Sequence, residues 1–176
     1  MGYSRPSIQQ SGLLSAGGRD RFYRCLTFPL DDDVNLYGRA IDAVRHQFLP
    51  RPKGGLYGWE RAQSSPSVIV AEGLFDVASL WQAGFPSAVA ALGAHLNPRQ
   101  MAQLCDGRQR VVYLCMDADE NGAGAAAAHR QRMQLLKAGL RAACVELPPG
   151  HDPNSLLNSS KHGAACFEDC LERARR

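Results

Sequence analysis

The chain has 176 residues, of which 45% are apolar, and a formal charge of +3. That length suits one domain, or one domain with a small appendage, with enough apolar residues for a real core. No apolar run is long enough for a membrane-spanning helix, and no charged-then-apolar leader is expected at the start.

Charge is unevenly distributed. Residues 1–66 carry nine Lys/Arg against six Asp/Glu, whereas residues 67–176 carry eleven of each. A basic third beside a neutral remainder suits a surface that holds a polyanion next to a second centre. The six cysteines, Cys25, Cys105, Cys115, Cys144, Cys166 and Cys170, form no Cys-x-x-Cys pair. Cys105, Cys115 and Cys144 lie in apolar periodic segments and read as small buried hydrophobes. Cys166 and Cys170 have only His162 nearby, so no zinc is expected. The pattern suits a reduced cytoplasm.

Residues 1–18 are rich in Ser, Gly and Gln and are expected to be loose, apart from an apolar contact at Leu13-Leu14. Residues 21–30 and 34–41 read as two strands of a hairpin joined at Asp31-Asp32-Asp33. Those three acids suit a soluble turn better than a metal site. Residues 45–58 mix Arg45, Arg51 and Lys53 with Phe48 and Tyr57, and Trp59 follows. Cations interleaved with aromatics suit single-stranded nucleic acid, where bases stack and phosphates pair. An irregular connection packing its aromatics on the main domain explains the stretch equally well. Gln63-Ser64-Ser65-Pro66-Ser67 reads as a hinge, which puts a small β-rich subdomain at 1–66 and the main domain at 67–176.

From residue 67 the pattern is regular. Strands are expected at 67–71, 87–92, 110–116 and 140–147. Helices are expected at 74–83, 97–106, 122–138, 154–158 and 162–175. Asn97 caps one helix with Pro98 at its first position, while Gly84 and Gly139 stop two others. Strands alternating with helices imply an α/β fold, a parallel four-stranded sheet covered on both faces.

The acids of this region fall at one edge of that sheet. Glu72 follows the first strand. Asp117-Ala118-Asp119 follows the third, and Asp152 follows the fourth. Asp76 lies one helical turn beyond Glu72. Ligands of open α/β sheets bind outside the carboxyl ends of the strands. Carboxylates gathered there repel one another unless neutralised, and a hard cation such as Mg²⁺ does this with oxygen ligands. A calcium loop is the competing reading, since Asp117-x-Asp119-x-Asn121-Gly122 matches the first half of an EF-hand. It fails because the twelfth position is Ala128 and a strand, not a helix, precedes the loop.

Val70-Ala71-Glu72-Gly73-Leu74-Phe75-Asp76, Asp117-Ala118-Asp119-Glu120-Asn121-Gly122 and Gly150-His151-Asp152-Pro153 together resemble the Toprim domain of bacterial DnaG-type primases and related primase-like proteins of mobile elements. Ala91-Leu92-Gly93 fits the same pattern. Upstream, Asp20-Arg21-Phe22, Phe28-Pro29, Gly38-Arg39 and Leu56-Tyr57-Gly58 are similar to the small subdomain that precedes Toprim, so the resemblance covers residues 13–157. It implies Mg²⁺, for which Mn²⁺ can substitute. The metal ligands would be Asp117, Asp119, Glu72 and Asp152. Glu72 would also act as general acid/base, with Asp76 assisting. The implied reaction is primer RNA synthesis on single-stranded DNA from nucleoside triphosphates. Arg21, Arg39, Arg45, Arg51 and Lys53 would hold template or triphosphate.

Four departures stand out. No zinc-ribbon set and no helicase-docking part are expected of the 176 residues, Asn154 stands in place of a second acid after Asp-Pro, and Gln47 in place of a lysine. They fit either an excised catalytic core whose zinc region and replicative helicase are met elsewhere, or a stand-alone relative with reduced or altered activity. A Toprim nuclease and a non-catalytic nucleic-acid or nucleotide-binding module are the alternatives. A topoisomerase would need a separate tyrosine-bearing domain, and a phosphatase would need a Thr or Val pattern after Asp119.

Overall fold

The computed structural model describes residues 10–30, 35–117 and 123–176. The expected turn at Asp31-Asp32-Asp33, as well as Asp119 and the Asn121-Gly122 turn, lie outside those residues. The chain forms two compact units, residues 1–54 and 55–176.

In the first unit, β1 (Cys25–Leu30), β2 (Asn35–Ala40) and β3 (His46–Phe48) make an antiparallel sheet. The expected hairpin is present as β1 and β2, with Phe28 opposite Tyr37. The third strand was not expected, because three residues with two polar side chains give no periodic signal. Gly38 in β2 lies under the Phe22 ring, where any Cβ would collide with it. Residues 13–21 close a small loop: Leu14 bridges Asp20, and Arg21 N–H donates to the Leu13 carbonyl at 2.8 Å.

The second unit begins at Gly55, twelve residues before the start at residue 67 read from composition. The reason is β-pairing. Tyr57 exchanges backbone hydrogen bonds of 3.0 and 3.1 Å with Ala90, covering the outer edge of β5 (Ala88–Ala90), which would otherwise stay unpaired. Leu56 and Ala62 of the same stretch are buried in the main core. Of the aromatics read as a nucleic-acid signal, Tyr57 instead stacks on Trp81 with centroids 5.8 Å apart. Trp59, which opens the short helix α1 (Trp59–Ala62), lies on the Arg110 guanidinium at 4.9 Å. For these two the packing explanation holds.

The main sheet runs β5-β4-β6-β7, all parallel, with β4 (Ser67–Ala71), β6 (Val111–Cys115) and β7 (Arg141–Cys144). Val68, Val70, Val112 and Leu114 point to one face. They pack with Leu104 of α3 (Pro98–Leu104) and with Ala128 and Leu135 of α4 (Ala123–Lys137). Ile69, Ala71, Tyr113 and Cys115 alternate to the other face and are also buried. There α2 (Leu74–Gln82), α5 (Pro153–Asn158) and α6 (Gly163–Arg175) form a mutually packed layer. Cys115 is buried and Cys144 half-buried, but Cys105, expected inside, is exposed just past the end of α3. Among the described residues no helix is long and apolar enough to cross a membrane.

Arg110, at the amino end of β6, is the largest fully buried side chain. Its Nη2 donates to both oxygens of Asp106 at 2.6 Å, while Nε and Nη1 have no hydrogen-bond partner among the described residues. Burial pushes the Asp106 carboxyl up, but the Arg108 backbone N–H and Arg110 hold it below its usual range.

Candidate metal centre

The strand order sets where a ligand can sit. From β4 the chain crosses to β5 on one side, then to β6 on the other side of β4. The helices α2 and α4 consequently cover opposite faces. The switch point therefore lies between β4 and β6, and the crevice beyond their carboxyl ends is where open α/β sheets take ligands. In register Ala71 pairs with Cys115, so Glu72 stands level with Met116 and Asp117 is one residue further along. Both acids are at the same edge, at the switch point.

Asp76 is the best defined of the acids. It is buried in the first turn of α2, where its Oδ2 accepts the Gly73 N–H at 2.9 Å and its Oδ1 accepts the Asn154 N–H of α5 at 3.1 Å. It thus ties together the starts of two helices. Burial pushes its carboxyl up to about 7; the Asn154 and Gly73 N–H groups oppose that rise, and the charges of Asp152 and Asp117 add to it. The same three acids, Asp76, Asp117 and Asp152, also act on buried Cys115 beneath them, whose thiol is raised by burial first and then by these charges. Asp117 is half-buried, with its Oδ1 shielded from solvent. Asp152 is the N-cap of α5, its Oδ1 accepting the Ser155 N–H at 2.6 Å.

Asp76, Asp117 and Asp152 are therefore brought together electrostatically. Glu72 shares their sheet edge and is half-buried, its carbonyl accepting the Gly93 N–H at 3.3 Å. Asp119 lies outside the described residues. Among the described residues no three acids, His or Cys close into a ready-made cage. The donor set still fits a hard divalent cation. It is all oxygen, it sits at the switch point, and its members raise one another's affinity for positive charge; Mg²⁺ needs only one or two carboxylates plus water and phosphate oxygens. The calcium-loop reading fails on structure as well, since Ala128 is buried in the core.

Three further residues shape this edge, of which only Leu92 was noted in sequence, as part of the Ala91-Leu92-Gly93 match. Gly124, in the first turn of α4, lies against the Asp117 carbonyl so closely that a Cβ would overlap it. Leu92 has a left-handed backbone with φ 59°, uncommon for a branched side chain, in the loop that meets Glu72. Gln131 of α4 holds that loop by donating to the Ala94 carbonyl at 2.6 Å and accepting from Leu96 N–H at 3.2 Å. A glutamine on an Ala-rich helix gives no hint of this.

The basic residues belong to the first unit. Phe28, Tyr37, Phe48 and His46 form one aromatic row across β1, β2 and β3, with centroid spacings of 5.1–6.3 Å. Arg39 is on the same face, opposite His46, and bonds to Tyr37; burial nevertheless raises the Tyr37 hydroxyl against the pull of Arg39. Lys53 lies 5.0 Å over the Phe48 ring. Arg45 and Arg51 are exposed. Arg21 is half-buried and donates through Nε to the Gly12 carbonyl at 2.7 Å, which gives it a structural use.

The Toprim-like family matches residues 69–157, half of the chain. The DNA primase of Deinococcus radiodurans is 33% identical over 178 residues, 89% of this chain and 30% of its own length. The DNA primase of Pasteurella multocida is 31% identical over 171 residues, 88% of this chain and 29% of its own length. The chain thus spans under a third of these curated relatives. Among solved structures, the Aquifex aeolicus primase with its zinc-binding and RNA polymerase domains superposes with a TM-score of 0.79 at 26% identity, over 95% of this chain and 45% of that one. The DnaG primase catalytic domain bound to ssDNA gives 0.79 at 29% identity, over 97% and 58%. Fold, motif positions and these comparisons agree: the chain belongs to the Toprim-like family and is similar over most of its length to the catalytic core of DnaG-type primases.

Proposed function

We propose that this chain is a primase-type nucleotidyltransferase core, which joins nucleoside triphosphates into a short RNA on a single-stranded DNA template. The observation that carries the reading is the convergence of Glu72, Asp76, Asp117 and Asp152 on the switch point of the sheet. Likeness to the DnaG catalytic domain bound to ssDNA supports the choice of polymer.

Asp117, Asp119, Glu72 and Asp152 would hold Mg²⁺, or Mn²⁺ in its place. A cation held by these residues would supply neutralisation of the charge that develops on phosphoryl oxygens. Glu72, which follows β4, would take the proton of the attacking 3′-hydroxyl. Asp76 keeps the starts of α2 and α5 together and so assists by holding the ground beneath the acids in place. On the first unit the row Phe28, Tyr37 and Phe48 offers flat faces for bases, while Arg39, Arg45, Arg51 and Lys53 supply charge for template or triphosphate. Arg21 would add to that charge with its remaining guanidinium nitrogens, its Nε being engaged by the Gly12 carbonyl.

The test is incorporation of labelled nucleotides on single-stranded template with Mg²⁺ or Mn²⁺, comparing the chain with Asp117→Asn. Template-dependent products from the first and none from the second are expected. Degradation of template without synthesis would point to a nuclease instead. Binding without turnover, unaffected by the substitution, would reduce the chain to a binding module.

A further inference from the structure

Helix α4 turns one face into the core, through Ala128, Gln131 and Leu135, and leaves the opposite face to solvent. On that outer face Met133 is 41% and Leu136 38% exposed. Apart from Phe75, no other large apolar side chain of the second unit is so exposed among the described residues. His129 and Arg130 lie one turn before Met133, Lys137 lies one turn after it, and all three are exposed. At about 3.6 residues per turn, Met133 is outermost, with Arg130 and Lys137 on one flank and His129 and Leu136 on the other.

Charge on this segment is one-sided. From Ala123 to Val145 there are four Lys/Arg and no Asp/Glu, although residues 67–176 balance overall. Arg130, Lys137 and Arg141 have no ion pair or side-chain hydrogen bond with any described residue. Arg132 is the exception, since its Nε donates to the Ala142 carbonyl of β7 at 3.0 Å. β7 is the last strand of the main sheet, and this bond occupies part of its free edge. A partner is thereby hindered from adding a strand there, whereas the helix face stays open.

We propose that the outer face of α4 docks an acidic segment of a protein partner, whose large apolar side chain covers Met133 and Leu136 and whose carboxylates pair with Arg130 and Lys137. Protein interfaces are built in this way, with an apolar centre and a charged rim. Methionine adapts its shape to whatever meets it, which suits the central position. Arg130 and Lys137 are about 10 Å apart along the axis, room for an apolar side chain between two carboxylates. A nucleic acid would use the cations alone. Phosphates give Met133 and Leu136 no apolar partner, and this helix has no aromatic ring on which a base could stack. The face shares no residue with the acid edge. Met133 is about 13 Å along the axis from Gly124, which touches the Asp117 carbonyl, so the proposal stands without the metal centre.

The experiment is selection of random peptides displayed on phage against the full chain, followed by fluorescence anisotropy of a selected peptide. Enrichment of peptides that place Asp or Glu around a large apolar residue is expected, with affinity that falls as salt rises. Met133→Ala, and separately Arg130→Glu/Lys137→Glu, should each weaken the selected peptide about ten-fold or more. These positions are exposed, so the variants should melt as the wild type does. Failure to select any peptide, selected peptides without an excess of acids, or equal binding to either variant would overturn the proposal. A single-stranded oligonucleotide is the second probe. Its weakening by the charge reversal, with no acidic peptide selected, would assign the face to nucleic acid and overturn the proposal too.

Discussion

Replacing Asp76 by Asn should reverse its effect on stability with pH. The folded protein holds the Asp76 proton up to about pH 7, whereas the unfolded chain releases it near its ordinary value of 3.8. A folded pKa above the unfolded one gives a contribution that is complete below 3.8 and is lost as pH rises through 7. At about 1.4 kcal/mol per unit, ionising Asp76 in the metal-free protein at pH 8 costs on the order of 4 kcal/mol. Asn cannot ionise, so the variant escapes that cost. It also loses one of two acceptors, because its amide must face either the Gly73 or the Asn154 N–H, a penalty of roughly 1 kcal/mol. In chelator, the variant should be more stable than wild type by roughly 3 kcal/mol near pH 8, and less stable by roughly 1 kcal/mol near pH 4. Urea denaturation across that range measures both ends. A deficit of the same size at both ends would refute the reasoning, since it would mean that burial does not hold Asp76 protonated.

Removing Asp106 by Asp106→Ala leaves the buried Arg110 charge without its partner, and chemical denaturation should register a loss of about 2–4 kcal/mol, reduced from a fully buried pair because Asp106 is 29% exposed. A loss below about 1 kcal/mol would mean that Arg110 finds water instead. Gly124→Ala should push the start of α4 off the Asp117 carbonyl and lower thermal stability by about 1–3 kcal/mol, together with metal affinity; an unchanged melting curve would contradict the close packing. Phe48→Ala should weaken binding to a single-stranded oligonucleotide by about 1–3 kcal/mol, and Lys53→Ala should flatten its salt dependence by about 0.7 in log–log slope. Fluorescence anisotropy at several salt concentrations reads both, and unaltered binding in each would remove the aromatic face from the interface.

The main sheet was legible because its strands are continuous apolar runs. Val68-Ile69-Val70 and Val111-Val112-Tyr113 are β-branched or aromatic, buried on both faces, and end in an acid or a turn, so β4 coincides with the expected strand and β6 differs by one residue at each end. From the strand ends the acidic edge followed. The hydrogen-bonded set Ser79, Asn154 and Asn158 behind Asp76 did not, because these are common helix-surface residues whose meeting depends on how α2 packs against α5. The same limit applies to Gly124, where the reason for glycine is a neighbouring backbone seven residues away in sequence. In the basic third, interleaved aromatics and cations were one signal in sequence but two structures in space. Phe48 belongs to the small sheet, while Tyr57 and Trp59 pack in the larger unit. Composition placed the boundary at the Ser-Pro hinge; pairing of Tyr57 with the edge strand moves it to Gly54.

Calorimetric titration of Mg²⁺ into the chain and into Asp117→Ala/Asp119→Ala, with circular dichroism to verify folding, addresses the acid edge most directly. Saturable binding to the first, and none to a double variant that keeps its helices and strands, is the predicted outcome. Equal affinity in both would show that the carboxyl ends of β4 and β6 are not where the cation is held.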